Sequence, residues 1–208
     1  MFQQSQVALP NQVKGAQSRQ IENRNLRCPM SSNAKPSHHD KKTFSLLFES
    51  LSLKKFPRMG WLIKRAPHES LADHSFGVAL VALALARMEN LGEKDEAALV
   101  RRALLHDLHE ARVGDLSKLQ RQYVKADYAR AEKELLEGTH LEPEIALLSG
   151  ERLRTLAHDA DKLDMLFQAI DNGNAGNRGM RPFIRSALSQ IKSRSGKKLA
   201  KLALKMEK

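Results

Sequence analysis

ALLHDLHEARVGD, residues 103–115, sets a His-Asp pair at the end of an apolar run, then Glu110, then Gly114-Asp115. Read as one helix from Asp95 to about Glu110, Leu99, Ala103, His106 and Glu110 share a face. Val100, Leu104, Asp107 and Ala111 share the adjacent one. His106 and Asp107 then stand about 100° apart around the axis, close enough to lean toward one point. Ionisable groups entering a core need partners, because a lone buried charge shifts its pKa or costs stability. A divalent cation satisfies several of them at once.

Two other apolar stripes carry the same kind of intrusion. Ser70, with Asp73 three residues on, reads as a capping box opening a helix to about Asn90, with the stripe His74, Val78, Val81, Leu85, Met88. Residues Glu151 to Asp171 read as a long helix striped by Leu156, Ala160, Leu163, Phe167 and Ile170, with Asp161 beside the stripe in HDADKLDM (158–165). Each intrusion has a plain reading as well: an inward histidine is commonly a satisfied core residue, and Asp161 has Lys162 and Arg154 to pair with. Three intrusions into three stripes are harder to absorb, since each would destabilise the core if left unpaired.

The rest of the folded chain also keeps a helical period, without strand-like alternation or a 20–50 residue repeat. Thr43–Leu53 reads as a first short helix, 124–137 as a polar amphipathic one, and Pro143 opens another through Ser149. NGNAGNRG (172–179) breaks the pattern as a connector, since no strand precedes it to make a phosphate loop. The last helix starts near Pro182 and runs into a Lys-rich end expected to fray. The expectation is an all-α helical bundle over 43–188, a disordered polar tail over 1–42, and a basic C-terminal helix or tail over 189–208.

Charge supports that division. Of 35 Lys/Arg and 24 Asp/Glu, residues 1–43 hold seven and two, and 189–208 hold seven and one, leaving 21 of each sign in between. The excess of +11 therefore lies in the tails, which can touch nucleic acid or anionic lipid only through weak, screened attraction, and not on a domain face. A single cysteine, Cys28, excludes an internal disulfide and any Cys-rich zinc module and points to a reducing, cytoplasmic setting. The first thirty residues lack a secretory apolar stretch, and Glu22 suits a mitochondrial leader poorly. Met30 offers a second start position. The longest apolar run, Val78–Ala86, is nine residues, too short for a transmembrane span.

His74, then His106-Asp107, then Asp161, in that order, resembles the signature of the HD-domain metal-dependent phosphohydrolases. ESLADHS (69–75), HDLHEARVGD (106–115) and DADKLDMLFQA (159–169) resemble more narrowly the branch that includes the 5'-deoxynucleotidases. The resemblance covers about residues 44–188.

It implies an HD-domain helical bundle and an enzyme hydrolysing deoxyribonucleoside 5'-monophosphates through a water activated by one divalent ion. His74, His106, Asp107 and Asp161 would be the ligands, a mixed N/O set that suits Mn, Co, Fe, Ni or Zn. By the same resemblance Glu110 assists catalysis, Asp115 contacts substrate and takes part in the chemistry, and Arg58 and Trp61 of KKFPRMGW (54–61) hold the nucleotide. Trp61 suits a core position equally, Arg58 a solvated surface, and Asp115 a turn cap. His109 and His140 lie where some relatives place ligands for a second metal, with spacing that favours one metal here; His158 reads as structural. Relatives are often homodimers. Two rival functions remain open at this level: an HD-type phosphodiesterase or nucleoside triphosphohydrolase, and a non-catalytic helical domain recruited through its basic tails.

Overall fold

Ser37 and Asp40 cap each other to start the first helix, α1 (His38–Glu49), and the chain stays helical almost throughout from there. The computed structural model describes residues 35–146 and 150–207, of which 36 onward form one compact unit. Among the described residues extended pairing is confined to an isolated bridge between Pro57 and Ser70. The all-α expectation holds. The helix expected at Thr43 begins five residues earlier because the Ser37 hydroxyl accepts from the Asp40 amide while the Asp40 carboxylate accepts from the Ser37 amide. Residues 36–42 therefore belong to the folded unit, and residues 1–34 of the expected tail, with Cys28 and Met30, lie outside the described residues.

After a 3₁₀ turn (Ser50–Lys54) comes a one-turn helix, α2 (Met59–Ile63), which the sequence pattern does not announce. Helix α3 (Leu71–Met88) starts with the expected Ser70–Asp73 capping box, and His74, Val78, Val81 and Leu85 of its stripe are buried; Met88 is exposed. Helix α4 (Glu93–Leu105) begins after Gly92, not at Asp95, with Glu93, Asp95 and Glu96 in the first turn where the macrodipole favours them. It ends at Leu105, so His106 and Asp107 fall in a tight turn and not mid-helix as expected. Leu108 N donates to Leu105 O at 3.1 Å and Glu110 N to Asp107 O at 2.9 Å before α5 (Glu110–Val113) resumes. A helical-wheel relation between His106 and Glu110 therefore does not apply.

A 3₁₀ turn (Gln120–Gln122) precedes α6 (Tyr128–Leu136). The helix expected from Pro143 to Ser149 is a 3₁₀ turn over Glu142–Ala146, and 147–149 lie outside the described residues. The long helix α7 (Glu151–Asn174) is followed by α8 (Arg181–Gln190) and α9 (Arg194–Ala203). The Lys-rich end does not fray. Asp159 of α7, fully buried, accepts from Lys192 N at 2.9 Å and Ser193 N at 2.7 Å, fixing the start of α9 on the bundle. A Cβ at Gly196 would lie 2.8 Å from that carboxylate, so the close approach needs glycine.

Helix α3 packs against α4 and α7, and α7 also carries α8 and α9. By length and composition alone α3 is apolar enough to cross a bilayer; Val78, Val81, Ala82 and Leu85 on one side of it are buried in the bundle core, while Phe76 and Leu80 are exposed. The larger apolar cluster joins Val78, Leu85, Leu99, Ala103, Leu163 and Met180; a smaller one joins Leu46, Leu53, Leu71, Leu108 and Leu135. His74 lies in the chain between Leu71 and Val78, and His106-Asp107 between Ala103 and Leu108. His74 and the His106-Asp107 pair thus sit where one cluster gives way to the other along the chain.

Candidate metal centre and active site

His74 reaches the seam from α3, His106 and Asp107 from the turn after α4, and Asp161 from α7. The two Nε2 atoms lie 3.2 Å apart. His74 Nε2 is 3.6 Å from Asp107 Oδ2 and 3.5 Å from Asp161 Oδ1, and His106 Nε2 is 3.0 Å from Asp107 Oδ2. Donor atoms of His74, His106 and Asp107 all fall within 4.8 Å of one another. The four sequence-predicted ligands therefore meet.

What lies behind the rings fixes their chemistry. His74 Nδ1 is 2.7 Å from Asp164 Oδ2, and His106 Nδ1 is 2.8 Å from the Ala103 carbonyl. Each Nδ1–H donates outward, so each Nε2, when unprotonated, presents its lone pair to the other ring and to Asp107. Neutral imidazoles so arranged repel unless a cation sits among them, and outer-shell acceptors of this kind orient metal-ligating histidines. An N₂O₂ donor set without thiolate fits a divalent transition ion. Burial alone would raise the Asp107 carboxyl, but the hydrogen bond from His106 and the charges of His106, His74 and Arg58 outweigh it and hold it ionised. Burial likewise opposes ionisation of Asp161, and His74 and Lys162, whose Nζ is 2.6 Å away, overcome it. For His106, burial works against protonation and Asp107 more than offsets it.

Asp164 escaped the sequence reading, although it lies one turn beyond Asp161 on the same helix. Room for it comes from α3: a Cβ at Gly77 would sit 2.0 Å from Asp164 Oδ1. Glu69 was missed too. Its backbone carbonyl accepts from Arg58 N at 2.9 Å and its carboxylate accepts from the Trp61 indole N–H. With Asp164 it lies close to His74.

Glu110 is 96% buried, at 4% exposure, and its Oε2 has no hydrogen-bond partner among the described residues. Burial first, then the nearby charges of Asp107 and Asp115, push its carboxyl up to about 8, with Arg58 and His74 pulling the other way. Arg58 extends its Nη1 to 3.8 Å from Asp107 Oδ2, and Asp115 Oδ2 accepts from Met59 N at 2.8 Å, capping α2. The other end of α2 is held by the NGNAGNRG connector: Asn177 Nδ2 donates to Lys64 O at 2.9 Å while its Oδ1 accepts from Gly179 N at 2.9 Å. So braced, α2 forms a wall of a cavity of about 450 Å³ that Arg58, Trp61, Asp115, Met165 and Phe183 help to line. Trp61 is 2% exposed and packs on Phe183, ring centroids 4.7 Å apart, which makes it as much a core residue as a lining one.

The remaining histidines divide. His109 offers an atom within 4.8 Å of donors on Asp107 and Glu110, and its ring meets Tyr128 edge-on at 5.0 Å. His140 Nε2 pairs with Asp40 at 3.0 Å, on α1, and His158 lies 3.8 Å from Asp159.

A profile of the HD domain matches residues 51–206. The bovine 5'-deoxynucleotidase HDDC2 is 36% identical over 93 residues, 44% of this chain and 43% of that protein, and its Dictyostelium discoideum counterpart 28% over 141 residues, 57% and 71%. The chain thus aligns with less than half the length of the bovine relative. One crystal structure is 29% identical with a TM-score of 0.68, covering 81% of this chain and 96% of the other. A Pyrococcus horikoshii protein is 32% identical with a TM-score of 0.63, covering 79% and 98%. The match over residues 51–206, together with the convergence of His74, His106, Asp107 and Asp161 in a bundle that has no strands among its described residues, makes this chain a member of the HD domain family.

Proposed function

We propose that this chain is a metal-dependent phosphohydrolase that cleaves deoxyribonucleoside 5'-monophosphates to nucleoside and phosphate. The observation that carries the reading is the meeting of His74, His106, Asp107 and Asp161 beside a buried Glu110, linked through Arg58 to a nucleotide-sized cavity. The name of the HDDC2 relatives supports the substrate class. Those four side chains would hold a divalent ion, which would supply Lewis acidity toward the phosphoryl oxygens and toward a water.

The chain's own residues do the rest. Glu110, whose Oε2 has no partner among the described residues, orients the attacking water and in its ionised form accepts its proton. Arg58, next to Asp107, offsets charge on the phosphoryl oxygens. Asp115, braced at one oxygen by Met59 N, keeps the other to position or protonate the leaving ribose oxygen. Trp61 and Phe183 give the nucleoside an apolar wall.

Phosphate release should be screened over nucleoside monophosphates with Mn, Co, Fe, Ni and Zn, alongside cyclic nucleotides and triphosphates. Release from monophosphates with at least one ion is expected. Preferential cleavage of cyclic or triphosphorylated nucleotides would replace this reading with that of a phosphodiesterase or triphosphohydrolase. A homodimer is part of the proposal: Phe76, Leu80 and Leu83 form an exposed apolar stripe on α3, and Phe44 and Phe48 stack at 6.0 Å on the exposed side of α1. Light scattering should give twice the chain mass.

A further inference from the structure

The cavity beside the metal centre carries more positive charge than a monophosphate uses. Arg58, Lys64, Lys118 and Arg121 line it against a single carboxylate, Asp115, itself engaged by Met59 N. The surrounding domain is balanced at 21 charges of each sign, so this excess is local. A phosphate monoester brings at most about two negative charges near neutral pH, and a divalent ion with Arg58 already meets them. Base and deoxyribose are neutral. Lys64, Lys118 and Arg121 are left without a counter-charge, and among the described residues none of the three makes an ion pair. The Arg121 guanidinium lies 5.7 Å over the Tyr128 ring, which holds it in place without neutralising it.

The placement of Lys64 separates it from the Arg58 that meets the scissile group. Arg58 caps the N-terminus of α2 and Lys64 its C-terminus. Six residues of helix put them about 9 Å apart along the axis. Arg58 and Lys64 therefore stand at opposite ends of the helix that carries Trp61 instead of crowding one phosphate, and Lys118 and Arg121 line the same cavity.

Resting on the phosphohydrolase reading, we infer that the preferred substrate carries a second phosphoryl group on its 3' oxygen: a deoxynucleoside 3',5'-bisphosphate or the 5'-phosphorylated end of a short oligodeoxynucleotide. The 5' ester sits at the metal centre, and the 3' phosphate is met by Lys64, Lys118 and Arg121. In hydrolysis the water oxygen bonds to the 5' phosphorus, the bond from phosphorus to O5' breaks, and O5' takes a proton. Inorganic phosphate and a nucleoside bearing its 3' phosphate leave.

The test compares kcat/KM of the metal-loaded full chain for deoxyadenosine 5'-monophosphate, 5'-diphosphate, 3',5'-bisphosphate and a 5'-phosphorylated dinucleotide. The bisphosphate or dinucleotide should exceed the monophosphate by about tenfold, chiefly through KM, and which gains more separates a small-molecule source from a nucleic-acid end. In the combined Lys64→Gln, Lys118→Gln, Arg121→Gln variant that ratio should fall to about one. Equal values in the unmodified protein, a ratio that survives in the variant, or a preference for the 5'-diphosphate would each overturn the inference while leaving monophosphate hydrolysis intact. Equilibrium binding of bisphosphate against monophosphate to metal-loaded Glu110→Gln protein reads the second contact without turnover, so failure of the phosphohydrolase reading shows separately. Equal affinities there would also overturn it.

Discussion

His74 of α3 and Asp164 of α7 face each other at 2.7 Å, Nδ1 to Oδ2, and the approach exists because residue 77 has no side chain. Asp164 fixes the ring so that Nε2 points to the other ligands, which makes it a positioning residue for the metal centre. Replacing Asp164 with Leu should weaken divalent-ion affinity about 10- to 100-fold, with Asp164→Asn milder because its amide oxygen still accepts from Nδ1–H. Gly77→Ala puts a Cβ 2.0 Å from Asp164 Oδ1 and should have the same effect as the leucine variant. Chelator competition measures both, and unchanged affinity in Gly77→Ala would show that Asp164 does not orient the ligand.

Asp107 and Glu110 should separate under substitution. Asp107→Ala removes a donor that lies near both imidazoles, so metal content and turnover should be lost together. Glu110→Gln should retain the ion and lose about 10²- to 10⁴-fold in kcat, the range for removing a general base. Arg58→Ala should act mainly on KM. Elemental analysis beside steady-state kinetics reads all three, and a metal-depleted Glu110→Gln protein would reassign Glu110 as a ligand.

Asp159 is a structural carboxylate. It is fully buried and accepts two backbone N–H bonds at the start of α9, so Asp159→Ala strands both donors. A loss of about 3 kcal/mol is expected, seen as a lower urea midpoint and faster amide exchange in α9. An unshifted midpoint would mean that α9 is held by its apolar face alone.

The first turn of α1 should respond to acid. The Ser37 hydroxyl, then His140, then the Ser37 amide lower the Asp40 carboxyl to about 2. Its folded pKa lies below its unfolded value of about 4, so the capping contribution is complete above that value and is lost as pH falls through the folded one. The Asp40 carboxyl carbon resonance should titrate near 2, and Asp40→Asn should abolish the accompanying shift changes in residues 38–42. A midpoint at the ordinary aspartate value would show that the capping box is not formed in solution.

Helical period, capping signals and the inward placement of His74 and Asp161 were legible in the chain itself, because apolar spacing and local hydrogen bonding act over a few residues. So was the donor chemistry: two imidazoles and two carboxylates set against apolar stripes need a cation wherever they meet. The turn at 106–109 was not legible, since an apolar run extends smoothly across it and only packing on two separate clusters ends α4 at Leu105. Asp164 behind His74, Asp159 beneath α9 and the bracing of α2 by Asp115 and Asn177 were equally hidden. Each joins residues distant in sequence, and no local pattern encodes which carboxylate faces which partner. That choice is made by how α3, α7 and the loops between them stack, down to the missing side chain of Gly77.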